Sequence, residues 1–237
     1  MSTSTTHDPK SARPARWDDY VLPMVAFVAF TSFEGQLPAG PSGGPHPLWY
    51  PLAYAIKLAI VVGLAWRGRR AWADLRPWPG PGLIAAAIAI GLAVALAWVA
   101  LDGLYPSTPW LGTRAAFNPA KLPIAAQIAF YALRAIGLVA VVPLVEELFW
   151  RSFLMRWIID PDFQRVPIGR ISPLAVAVTA GLFALEHPEW LPALLAGLAW
   201  AGLLAASRSL TPCVISHAVA NAALGAYVVV TGDWKFL

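Results

Sequence analysis

The sequence predicts an all-α protein, a polytopic transmembrane bundle of seven to eight helices, on three observations. Of 237 residues, 58% are hydrophobic and only 13% are charged, whereas a soluble domain carries about 25% charged residues. The mean hydropathy is +0.61. The apolar residues also fall into runs of roughly the 20 residues that a bilayer core demands of a helix, separated by short stretches rich in Pro, Gly and Arg.

Taken in order, residues 1–17 are polar, rich in Ser and Thr, and carry Lys10, Arg13 and Arg16. They read as a disordered cytoplasmic tail. The apolar run that follows has no Ala-x-Ala type cleavage site, so it reads as a retained helix. Residues 18–237 read as a single transmembrane domain. Its spans are expected near 19–37, 48–66, 82–101, 123–142, 144–159, 171–187, 191–207 and 211–230. Glu34 and Gly35 interrupt the end of the first. Pro143 divides the fourth from the fifth. A proline removes one backbone donor and kinks a helix, so these two are either one bent helix or two.

The connecting stretches have physical reasons to be loops. Residues 38–47, PAGPSGGPHP, cannot hold a helix. Residues 67–80 carry Arg67, Arg69, Arg70 and Arg76 and end in PWPGP, and residues 160–170 carry Arg165, Arg170 and two prolines. Arginines clustered in short loops favour the cytoplasmic side. These loops and the N-terminus are therefore expected inside, while Arg114 and Lys121 in 102–122 run against that parity. No internal repeat and no separate soluble domain is evident.

Other classes fit poorly. The net charge of +4 and pI near 9.5 come from basic residues in short loops, not from a basic stretch interleaved with aromatics, so nucleic acid is not an expected partner. One cysteine, Cys213, supports neither an internal disulfide nor a multi-Cys zinc site.

The informative residues are the polar ones within apolar spans. An ionisable side chain at the bilayer centre costs on the order of 2.5–3.5 kcal/mol on insertion scales, and such residues are rare and functional. They are Arg134, Glu146, Glu147, Arg151, Glu186, His187, His217 and Asn221. In VEELFWR, Glu147 and Arg151 stand four apart and share a helical face, so they can neutralise each other. Glu146 points about 100° away, and a carboxylate in low dielectric can serve as a base toward water. In FALEHP, Phe183 and His187 share a face, and Pro188 pushes His187 out of the α region, to a helix end. Glu186 beside it is a candidate partner for Arg134. In SHAVAN, His217 and Asn221 lie on one face and can aim two donors at an oxyanion.

Each pattern alone also reads as interhelical glue: a salt bridge, a satisfied core histidine, or a His/Asn contact between membrane helices. Together they supply a base, an imidazole and two donors, the parts a hydrolytic site requires. Polar groups buried in lipid must also find one another.

The ordered set EExxxR, FxxxH and HxxxN resembles the CPBP family, the type II CAAX prenyl endopeptidases and their bacterial, bacteriocin-processing relatives. The matching residues are Glu146, Glu147 and Arg151, then Phe183 and His187, then His217 and Asn221, and the resemblance covers roughly residues 123–230. It implies peptide-bond hydrolysis within the membrane of a membrane-associated protein or peptide. Glu146 would be the general base and His187 would hold the water, with His217 and Asn221 stabilising the oxyanion. Glu147, Arg151 and Phe183 would orient them. The resemblance implies glutamate-activated water with no obligatory metal. HExxH is absent, yet Glu146, His187 and His217 are also a possible three-ligand zinc set.

The run from Leu191 to the C-terminus is similar to a bacterial subgroup found with exosortase-type protein-sorting systems, which would make such components partners and the bacterial inner membrane the location. Pro188 is outside the family pattern, and nothing reads out a prenyl group. Two competing readings are a non-enzymatic membrane protein of the same fold, serving as an immunity or assembly partner, and a small transporter. Transporters often show internal repeats, which are not evident here.

Overall fold

A computed structural model describes residues 14–40, 44–106 and 117–236. The expected tail lies almost wholly outside the described residues. The fold is all-helical, as the sequence predicts. Its helices are α1 (Trp17–Glu34), α2 (Trp49–Arg67), α3 (Pro81–Ala100), α4 (Ile124–Ile159), α5 (Pro173–Leu185), α6 (Trp190–Ser207) and α7 (Thr211–Thr231). Five of these, α2, α3, α4, α6 and α7, are long and apolar enough to cross a membrane. Large side chains such as Leu96, Ile124 and Val230 point outward, as they must where the surroundings are lipid. The chain is an integral membrane protein.

The division at Pro143 is settled by continuity. Ile124–Ile159 is a single 36-residue helix, so the expected fourth and fifth spans are one. It tolerates the proline by widening: Gly137–Val141 and Leu148–Leu154 are π-helical, with Val142–Glu147 α-helical between them. Such π segments are rare and gather at functional sites. The first helix also ends at Glu34, not at residue 37. Glu34 turns inward and accepts from Lys57 of α2 at 2.8 Å, both side chains buried.

Helix α3 packs along α7, α1 along α2 and α5 along α6, with α4 touching α1, α2, α5 and α7. One end of the bundle is tied together by Asp74. Its carboxylate accepts from Tyr20 at 2.7 Å, Ser152 at 2.5 Å and Arg156 at 2.6 Å. The 67–80 stretch, expected as an open loop, therefore folds into a 3₁₀ turn at Arg69–Leu75 that docks against α1 and α4. The Gln164 amide donates to the Ala15 carbonyl at the same end. At the opposite end Trp190 donates to the Pro106 carbonyl, and Lys235 pairs with Asp102. The N-terminus and both arginine-rich loops thus share one end.

Helices α3 and α7 come into close backbone contact at Gly91. A methyl group there would stand 2.3 Å from the Ser216 carbonyl oxygen and 2.9 Å from Val219. Both are on α7, and Ser216 precedes His217. Overpacking of this kind costs about 1–3 kcal/mol. Gly91→Ala is expected to lower stability by that amount in a detergent unfolding titration. An unchanged midpoint would show that α3 and α7 can separate freely.

Candidate active site

The site is built where α4, α5 and α7 meet. Helix α5 has 13 residues, about 20 Å at 1.5 Å per residue, against a bilayer core about 30 Å thick. It starts at the polar 160–170 loop and by itself is too short to cross that thickness. His187 sits just beyond its C-terminal end, as Pro188 predicts. Its Nδ1 lies 2.8 Å from the Phe183 carbonyl. A carbonyl only accepts, so Nδ1 carries the proton and Nε2 is left with a lone pair.

Glu146 and Glu147 occupy the short α turn between the π segments of α4, and both are buried. The Glu147–Arg151 pair forms as expected, with 3.2 Å between Oε1 and the guanidinium. Arg151 itself lies in the wider π turn. Its guanidinium stands over the faces of Phe183 and Trp200, at 4.6 and 5.1 Å from their centroids. Phe183, 1% exposed, also packs on the His187 ring at 4.6 Å. Hydrophobic packing thereby links the pair to the histidine.

His217 Nδ1 lies 2.9 Å from Glu147 Oε1, and its Nε2 is 3.9 Å from Glu146 Oε2. Glu147 thus serves two partners, Arg151 and His217. The other face of the His217 ring stacks on Trp200 at 4.2 Å and 20°, and Trp200 is held by a hydrogen bond to Ser216 Oγ. With Nδ1–H given to the carboxylate, a neutral His217 offers an acceptor at Nε2. It becomes a donor there only as imidazolium.

Asn221 spends one amide hydrogen across helices. Its amide nitrogen donates to the Leu138 carbonyl at 2.8 Å. In the first π segment Val142 N–H bonds to Gly137 O, so the next donor in that register, for Leu138 O, is residue 143. Residue 143 is proline and has no N–H. Asn221 supplies the missing hydrogen bond across helices and leaves its second amide hydrogen for other use.

Glu146, Phe183, His187, His217 and Asn221 all line one cavity of about 470 Å³, with Glu147 and Arg151 packed behind it. The same cavity is also lined by Glu34, Lys57, Tyr50, Tyr54, Arg134 and Glu186. Arg134 donates to the Tyr50 hydroxyl at 3.1 Å and stands over the Tyr54 ring, so Glu186 is not the partner expected for it. Sequence reasoning passed over Lys57 and Trp200. A lysine at the centre of YAIKLAIVV was a visible signal, while nothing marks Trp200 among twelve tryptophans.

Among the described residues, no three His, Cys, Asp or Glu side chains stand close enough to hold a metal ion. Glu146, His187 and His217 share the cavity.

Residues 128–223, somewhat under half of the chain, match the family described as Type II CAAX prenyl endopeptidase Rce1-like. The segment is similar to that family. All seven residues of the ordered motif fall within it, as does Arg134. The match is to the family and does not reach the exosortase-linked subgroup. The Rce1-like family is one of proteases. No curated protein and no solved structure matches the chain.

Proposed function

We propose that the chain is an intramembrane endopeptidase that hydrolyses a peptide bond of a membrane-associated protein or peptide with water activated by Glu146. The observation that carries this reading is the convergence of Glu146, His187 and His217, from three helices, on one cavity inside the bundle. The Glu146 carboxylate takes a proton as the water oxygen attacks the scissile carbonyl carbon, and His187 Nε2 holds that water by accepting its other hydrogen. The tetrahedral oxyanion is met by His217 as imidazolium, whose charge Glu147 balances, and by the second amide hydrogen of Asn221. Collapse breaks the C–N bond, and the proton on Glu146 passes to the departing amine. Base, water and leaving group then need one carboxylate only, in line with general acid–base catalysis.

The N-terminal end, which carries Arg67, Arg69, Arg70, Arg165 and Arg170, would face the cytoplasm of a bacterial inner membrane by the positive-inside rule. The test is cleavage of candidate membrane-anchored substrates in cells lacking the protein, complemented with wild type, Glu146→Ala or His187→Ala. A product formed only by wild type, at equal protein levels, is expected. Equal cleavage in all three strains would make the polar cluster structural and bring forward the non-enzymatic reading.

A further inference from the structure

The cavity has a direction. Among the described residues, none of the arginine-rich stretches 67–80 and 160–170 lines it. On α1 its lining starts at Phe27, roughly ten residues or about 15 Å in from Trp17, and runs to Glu34 and Gly35, where the helix stops. On α2 it runs from Lys57 back to Tyr50, away from Arg67. On α3 it takes Val94 and Trp98, near the Ala100 end. Phe236, beyond the end of α7, lines it too. The lining therefore extends from Glu146 toward the end of the bundle opposite the arginines.

The arginine end itself is packed shut. Ser209 and Thr211 donate to the carbonyls of Pro77 and Leu75, which pins the start of α7 to the stretch that Asp74 ties to α1 and α4. Tyr20, Phe153 and Phe163 meet ring to ring there, and Ala71 and Leu210 are fully buried. Trp200, stacked on His217 and edge-on to Phe183, lines the cavity on that side. The other direction is polar. Arg134, bonded to Tyr50, lies roughly three turns from Glu146 along α4 toward Ile124, and the Tyr54 ring lies against both Arg134 and Lys57. Charged side chains in membrane helices face one another or a water-filled space, and hydrolysis requires water at Glu146.

We propose that water and substrate reach Glu146 from the end of the bundle opposite the arginine-rich loops. Resting on the endopeptidase reading and on the orientation given above, this names the substrate class. It is a membrane-anchored protein or peptide whose cleavage point lies at the extracytoplasmic end of its anchor.

The test is the side from which a small charged thiol reagent enters the cavity. Cys213, which is buried, is replaced by alanine, and one cysteine is returned at Leu224 or Val94, cavity-lining positions on α7 and α3. Trp78→Cys and Leu104→Cys, at exposed positions, mark the arginine end and the opposite end. Sealed right-side-out and inside-out vesicles are treated with membrane-impermeant 2-sulfonatoethyl methanethiosulfonate, and the thiols left unmodified are counted after solubilisation. Leu104→Cys is expected to react in the right-side-out vesicles and Trp78→Cys in the inside-out ones. Leu224→Cys should react at least about tenfold faster from the Leu104 side than from the Trp78 side, because lipid holds a charged reagent back by more than that factor.

Val94→Cys should behave alike and is the second variant should Leu224→Cys not fold. Faster reaction from the Trp78 side, equal reaction from both sides, or none from either overturns the proposal. Reaction of Leu104→Cys in inside-out vesicles only would overturn the substrate class. Labelling needs no turnover, so this result stands apart from the cellular cleavage result. Entry from the Leu104 side without cleavage by wild type would sink the protease reading and keep the route, and cleavage with entry from the Trp78 side would do the reverse.

Discussion

Glu146→Gln is expected to lower the cleavage rate by about 10²- to 10⁴-fold, the usual contribution of a positioned general base, with folding and membrane insertion intact. The amide matches the carboxylate in shape but cannot take a proton from water at the distance that opens C–N hydrolysis. Stability should not fall, because the change removes a desolvated charge from a site 3% exposed and leaves the Glu147–His217 contact of 2.9 Å untouched. The measurement is the initial rate of substrate processing by purified protein, set beside its unfolding midpoint in the same detergent. Processing within tenfold of wild type would remove Glu146 from the role of base and shift attention to His187.

Arg151→Leu is expected to be the most destabilising single change at the site. Arg151 is 2% exposed and Glu147 fully buried, so the substitution leaves a carboxylate inside the bundle without its cation, at about 3–5 kcal/mol. The contacts with Phe183 and Trp200 go with it, and each such contact contributes about 0.5–2 kcal/mol. The double change Glu147→Gln with Arg151→Met should recover much of the lost stability, since a buried ion pair replaced whole is often neutral. It should not recover cleavage, because His217 loses the carboxylate that holds its Nδ1–H. Chemical unfolding of the three proteins checks the first part and substrate processing the second. A cost below 1 kcal/mol for Arg151→Leu would mean that water or another cation reaches Glu147.

These expectations depend on different depths of reading. That Glu147 and Arg151 pair, that His187 terminates a helix and that His217 faces the same space were all legible in spacing, because i,i+4 neighbours and a proline's effect on its predecessor are local. The role of Asn221 was not. Its bond to Leu138 answers a gap that Pro143 opens 78 residues earlier in the chain, and only the packing of α7 on α4 brings the two together. Glu34 read as a flaw in a span, and Lys57 went unnoticed. Each is explained by the other, across a helix pair.

By itself the sequence determined the membrane class, the spans and the short set of polar residues worth suspecting. Span length follows from bilayer thickness, and a charge in an apolar run is costly wherever its partner lies, so both can be read along the chain. Only the tertiary structure decided that Ile124–Ile159 is one helix with two π segments, and that the arginine-rich loops share an end. It alone decided which carboxylate each of Lys57, Arg151 and Arg156 meets. The reason is that a buried polar group is satisfied by whichever helix packs against it, and in a bundle whose helices are apolar on nearly every face, the pattern of one helix says little about its neighbour.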